Sequence, residues 1–205
     1  IVRMKKNLLK FQADADIQLT LPNGSYKVQA TLKYEKENRW LINIAGPFGL
    51  KLARIKTDSK RYIVDMIMKG SSFSGYLDEP ITIESMDLEL PRLDLFVNLL
   101  LPVIDINVKN IVVLKSPSYV GNSTLVIEYD DMDAVYQLRL NLSYDPLIVY
   151  SEERIMDDNI LYLREFKYNS IESYFPEIIN ISHRNLKVKI TYDNIHFEDR
   201  KLKNI

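Results

Sequence analysis

The side chains that most often carry catalysis or hold metals are scarce in this chain. It has two histidines, His183 and His196, and no cysteine. The missing thiol excludes internal disulfides, thiolate zinc sites and cysteine nucleophiles. His196 follows Asp193 on a strand-like run, but no serine or second ligand stands at a motif spacing. Both histidines therefore read as structural or surface groups. Two acidic clusters, Asp130-Asp131 with Asp133 and Asp157-Asp158-Asn159, lack the central glycine and terminal glutamate of a calcium loop. Flanked by strand-like runs, they read as hairpin turns. No G-x-S-x-G, phosphate loop or H-E-x-x-H occurs. No catalytic residue, metal or cofactor is expected, and binding is favoured over catalysis. N-x-[ST] sequons at Asn23, Asn122, Asn141 and Asn180 matter only in a glycosylating secretory pathway.

The residue that stands out is apolar. Residues 43–52 read NIAGPFGLKL, in which one strand-like run breaks at Gly46-Pro47 and another begins near Leu50. Loop tips face water and are normally polar. This one places Phe48 between Pro47 and Gly49, where nothing obvious can cover a large ring.

The elements that hold such a tip are mostly β. Residues 11–21 (FQADADIQLTL) alternate strictly, with Phe11, Ala13, Ala15, Ile17, Leu19 and Leu21 on one face. PNGS at 22–25 marks a turn, and 25–34 alternate again. Further strands are expected at 39–45, 50–56, 61–68 and 71–77, an antiparallel meander. After a change of pattern they resume at 106–115, 122–130, 133–144, 147–155, 160–168 and 186–197. Between the two series, PRLDLFVNLLL at 91–101 puts Leu93, Phe96, Val97, Leu100 and Leu101 at helical spacing. Pro91 suits the first helical position and Pro102 stops the run. That helix is either a core helix or a lid over an apolar cavity.

The bounds agree with one sheet-dominated domain over residues 1–205, with roughly eleven strands and one or two helices. A sheet this long must curl over its apolar face into a barrel, open or closed, with helix inside it or across its mouth. A net charge of −1 offers no basic stripe for nucleic acid. No apolar run reaches the roughly 18 residues that a spanning helix needs. The chain starts at Ile1, and a removed signal peptide or lipid-anchoring N-terminus is expected before it.

The order of these pieces resembles the LolA/LolB family, the bacterial periplasmic carrier and outer-membrane receptor of lipoproteins, and the receptor more closely. The strand pair 11–34 comes first. RWLINIAGPFG is similar to the receptor's strand with its [NG]-P-[LF]-G tip, and LKLARIKTDSKRYIVD follows as two strands. LPRLDLFVNLLLP stands where the family has its central helix. Phe175-Pro176-Glu177-Ile178, leading into LKVKITYDNI, is similar to the family's last strand and its ending.

The resemblance implies a mainly β fold, an unclosed antiparallel barrel with short helices covering an apolar cavity. It implies binding of the acyl chains of lipoproteins, or of lipid, and delivery to the inner leaflet of the outer membrane. A LolA-like carrier would hand the cargo over to a monomer in the periplasm, anchored through a lipidated N-terminal cysteine. The cavity wall is then expected from Val28, Ala30, Leu32, Trp40, Ile42 and Ile44, with Val188 and Ile190. Leu93, Phe96 and Leu100 would form the cover. Pro47, Phe48 and Gly49 would be the loop that enters the membrane. An envelope lipid-binding or sensor module that passes nothing on, or an enzyme acting on lipids, would be the alternatives, and the enzyme lacks any motif.

Overall fold

The structure is a computed structural model that describes residues 8–79, 81–83, 88–90, 97–103, 111–115, 122–131, 134–144, 147–169 and 175–199. The first strands are β1 (Leu8–Leu21), β2 (Gly24–Glu35), β3 (Arg39–Ala45), β4 (Lys51–Thr57), β5 (Arg61–Met66) and β6 (Ser71–Tyr76). Two short strands follow, β7 (Ile81–Ile83) and β8 (Leu88–Leu90). The later strands are β9 (Ile111–Lys115), β10 (Asn122–Asp131), β11 (Ala134–Tyr144), β12 (Leu147–Met156), β13 (Asn159–Lys167), β14 (Ile178–His183) and β15 (Leu186–Asp199).

Thirteen of these strands make one sheet in the order β6-β5-β4-β3-β2-β1-β15-β14-β13-β12-β11-β10-β9, and β7 pairs with β8 apart from it. The sheet does not close, so the expected unclosed antiparallel β architecture is the observed one. Its strands outnumber the roughly eleven counted from alternation. β14 escaped because Asn180 and His183 interrupt a short apolar run after Pro176, although Ile179 and Ile181 do alternate into the core. Conversely, the run 61–68 is shorter than expected: β5 stops at Met66, and Ile67–Lys69 form a 3-10 turn closed by left-handed Gly70 (φ 62°). The acidic clusters lie at hairpin ends. Asp131 faces Ala134 across one, and Asp157 and Asp158 take positive φ between paired Met156 and Asn159 in the other, as a two-residue hairpin of the type I′ class requires.

The described residues form two compact units. One comprises those within Asn7–Ile17, Lys27–Leu101 and Tyr192–Ile205, the other those within Gln18–Tyr26 and Pro102–Thr191. In the first, alternation along β1 to β3 buries Phe11, Ala13, Leu32, Tyr34, Trp40 and Ile42. Tyr34 meets Trp40 edge-on at 5.2 Å, and Phe11 meets Tyr192 at 6.2 Å. Residues 97–99 are helical, and Val97, Leu99, Leu100 and Leu101 are buried. The Tyr192 hydroxyl donates to the Leu100 carbonyl at 2.6 Å, tying this turn to β15. In the second unit Leu138, Leu140, Ile179, Ile181, Leu186, Val188 and Ile190 make the core. That core also holds Glu152 and Arg164, both buried and ion-paired.

Candidate functional site: an apolar face and an exposed tip

The β3–β4 connection is built from four constraints. Gly46 closes the strand pair by donating its N–H to the Leu50 carbonyl at 2.8 Å. A β-carbon at Gly46 would lie 3.2 Å from the end of the Leu52 side chain, which would have to give by a few tenths of an ångström. Pro47 presets its own φ. Phe48 and Gly49 then both turn left-handed, at φ 62° and 74°. For glycine that conformation is free, whereas a bulky L-residue pays about 1–2 kcal/mol for it. The Phe48 ring gains nothing in return within the chain, because its relative exposure is 107%. Leu50 beside it is also exposed. Left-handed Phe48 thus holds its ring out in water.

The face expected to hold acyl chains divides between the two units. Ala30, Leu32, Trp40 and Ile42 are buried in the first, where Val28 and Ile44 are half-buried. Ile44 stands opposite Ala30 on β2 and Ala53 on β4, so small side chains flank it on both sides. Leu100 is buried in the same unit. Val188 and Ile190 are buried in the second unit. Leu93 and Phe96 lie outside the described residues. Among the described residues the Trp40 indole N–H is buried with no acceptor, a costly state for a strong donor.

Other polar groups arrange themselves structurally. On the polar face of the first unit, Thr31 and Asn194 donate to Asp14 at 3.2 and 3.1 Å, and Arg54 donates to Asn43 at 3.0 Å. Asp14, Thr31, Asn43 and Arg54 line a groove of about 550 Å³ together with Asp16, Asp193 and Lys51 and with the apolar Ala30, Ile44 and Ala53. The polar ladder was not foreseen from the sequence. In the second unit Tyr162 donates to Glu152 at 2.8 Å, and Arg164 bonds the same carboxylate through Nε at 3.1 Å. Arg164 also donates to the Val103 carbonyl at 2.9 Å. Burial, and then the Glu152 charge, hold the Tyr162 hydroxyl well above its usual range, which keeps it a proton donor. Burial likewise pushes Tyr168 up to about 12, and its hydroxyl donates to the Val149 carbonyl at 3.0 Å. His183 bonds the Leu161 carbonyl through Nδ1, a structural contact, and His196 is exposed. No group of His, Cys, Asp and Glu among the described residues could hold a metal ion.

The unclosed sheet can be set beside solved structures. A LolA superfamily protein from Nitrosomonas europaea aligns over 94% of this chain and 87% of its own, at 12% identity and a TM-score of 0.60. This chain shares the fold of that LolA superfamily protein. An outer membrane lipoprotein-sorting protein domain from Vibrio parahaemolyticus shares this fold at 11% identity and a TM-score of 0.59, over 96% and 88% of the two chains. A DUF1329 family protein from Desulfovibrio piger shares it at 9% identity and a TM-score of 0.61, over 97% and 89%. No protein-family model and no curated protein matches the sequence. The LolA-superfamily resemblance is therefore carried by architecture, and at these identities it speaks for the fold alone.

Proposed function

We propose that this protein binds the acyl chains of lipoproteins, or of lipids, on the apolar face of its sheet and delivers them to the inner leaflet of the bacterial outer membrane. The observation that carries this reading is Phe48, an aromatic ring kept at full exposure by a costly left-handed backbone. The fold supports it, since LolA-superfamily and lipoprotein-sorting proteins share this architecture. Val28, Ala30, Leu32, Trp40, Ile42 and Ile44 form the wall in the first unit with Leu100 as cover, while Val188 and Ile190 offer an apolar face in the second. A lipid ester or amide carbonyl reaching Trp40 would satisfy its buried N–H.

No bond is made or broken in such a cycle. Each CH₂ removed from water gains about 0.8 kcal/mol, whether it enters a protein or a membrane. Transfer between the two is nearly balanced, and the bilayer, as the larger reservoir, sets the direction. Phe48 brings the protein into contact with that reservoir. A LolA-like carrier in the periplasm is the partner this scheme requires.

The sole tryptophan, Trp40, makes the test direct. A dansyl-labelled fatty acid is titrated into the protein while energy transfer from Trp40 is recorded, alongside native mass spectrometry of the purified protein. Saturable transfer and co-purified lipid are expected. Ile44→Asp should remain folded, because the site is half-buried, and should lose the transfer, because an unpaired carboxylate there is costly to dehydrate. A folded Ile44→Asp protein that binds like the wild type refutes the wall assignment. Absence of both lipid and transfer refutes acyl binding.

A further inference from the structure

The Phe48 tip has a neighbour. β4 pairs antiparallel with both β3 and β5, and Ala53 faces Ile44 on one side and Met66 on the other. The turns that leave Ala45 and Met66 therefore lie at the same end of the sheet. The second turn, Ile67–Lys69, packs against β4, and Ile67 shares a groove wall with Gly49 and Lys51. It too is apolar and uncovered: Met68 is 64% exposed and Ile67 43%, beside Leu50 at 54% on the first tip. A β-carbon built on Gly49 or on Gly70 would meet no atom within 4 Å, so both turns end in open space.

Cations accompany both tips. Lys51 and Lys69 are exposed, and no acidic residue occurs within 46–51 or 67–70. The acid next in sequence, Asp65, accepts a hydrogen bond from Ser72 at 2.8 Å. Four exposed apolar side chains on two adjacent turns, with a lysine on each and no acid within either turn, match the layering of an anionic lipid surface, the carboxylates of Asp14, Asp16 and Asp193 standing further along the groove that Lys51 borders. The Phe48 ring, the aliphatic chains and the thioether reach the acyl boundary, and the ammonium groups stop at the phosphates.

We propose that the two tips form one docking surface for an anionic lipid bilayer, with Phe48, Leu50, Ile67 and Met68 entering it and Lys51 and Lys69 selecting negative headgroups. This rests on the reading of Phe48 as a membrane-facing residue and extends it to a second turn and to a lipid charge. A lysine near such a surface is worth about fivefold in partitioning. The pair should give roughly a twenty-five-fold preference for anionic over neutral vesicles, falling as salt rises.

The test is flotation with vesicles of phosphatidylcholine alone and of phosphatidylcholine with phosphatidylglycerol. Lys51→Gln/Lys69→Gln should keep the residual binding to neutral vesicles and lose the anionic preference. Met68→Ser should bind both vesicle types about tenfold more weakly. Because the chain has no cysteine, Met68→Cys accepts a single environment-sensitive dye, whose emission should shift blue on anionic vesicles. This labelled protein decides the matter if either flotation variant folds poorly. Wild-type preference in the lysine variant, or an unshifted dye, overturns the proposal. If Phe48→Ser alone abolishes flotation while Met68→Ser floats like wild type, the single-tip reading survives and the two-tip proposal fails. If neither substitution alters flotation, the membrane reading of Phe48 falls as well.

Discussion

Phe48→Gly should stabilise the fold while weakening its membrane contact. The ring touches nothing that its removal could disrupt, since it is fully exposed. The backbone at φ 62°, ψ 22° costs a phenylalanine about 1–2 kcal/mol. Glycine removes that cost but has a looser unfolded chain, which takes back about 0.5–1 kcal/mol. The net gain is roughly 0.5–1 kcal/mol, or about 1–4 °C in Tm for a chain of this size. On the membrane side, the lost ring forfeits about 1.5–3 kcal/mol of burial, a tenfold to hundredfold drop in vesicle partitioning. Phe48→Ala separates the two effects, because it keeps the left-handed strain and loses the ring. It should melt like wild type and float like Phe48→Gly. Calorimetry beside flotation reads both. A Phe48→Gly protein that melts many degrees lower would mean that the ring packs against the sheet. A protein that is stabilised yet floats normally would mean that the ring never enters lipid.

Glu152→Ala should cost about 3–5 kcal/mol, because it leaves the Arg164 guanidinium buried without its carboxylate. A chemical denaturation midpoint within error of wild type would show that this ion pair contributes nothing. Asp58 accepts backbone N–H bonds from Lys60 and Arg61, both at 2.7 Å, and these hold its carboxyl below the usual carboxylate range. A depressed carboxyl stabilises the fold above its unfolded value and loses that contribution as pH falls through its folded value. Asp58→Asn should therefore lower stability at neutral pH and flatten the acid limb below about pH 4, which melts across pH 2–7 would register; an unchanged limb would remove Asp58 from acid unfolding.

The sheet was legible in the sequence because alternation is a local property. FQADADIQLTL and LKVKITYDNI announce which side chains face inward, and Phe11, Ala13, Leu32, Trp40 and Ile190 are buried where the period placed them. Phe48 was legible for a similar reason, since Pro47 and Gly49 mark a tip that no neighbour in sequence could cover. The second tip was not, because IVDMIM continues a strand pattern and only the left-handed turn at Gly70 cuts it at Met66. Nor were the buried charges. Nothing in the sequence singles out Glu152 or Arg164, and only the pairing of β12 with β13 sets them opposite one another. The polar ladder from Arg54 to Asn43 likewise depends on register between strands, which composition does not encode.

An unclosed sheet also has two selvedges, and they are finished differently. β6, at one border, reads SSFSGY: serine hydroxyls and a glycine lying tight under Tyr62 make a poor template for another chain. β9, at the other, reads IVVLK and exposes Val112 and Val113. Among the described residues it has a partner strand on one side only. Bare valines beside unpaired amides invite strand addition. Fibrous self-templating, if concentrated solutions of this protein show it, should begin along Ile111–Lys115, and a single lysine in place of Val112 is the gatekeeper that would hem that border.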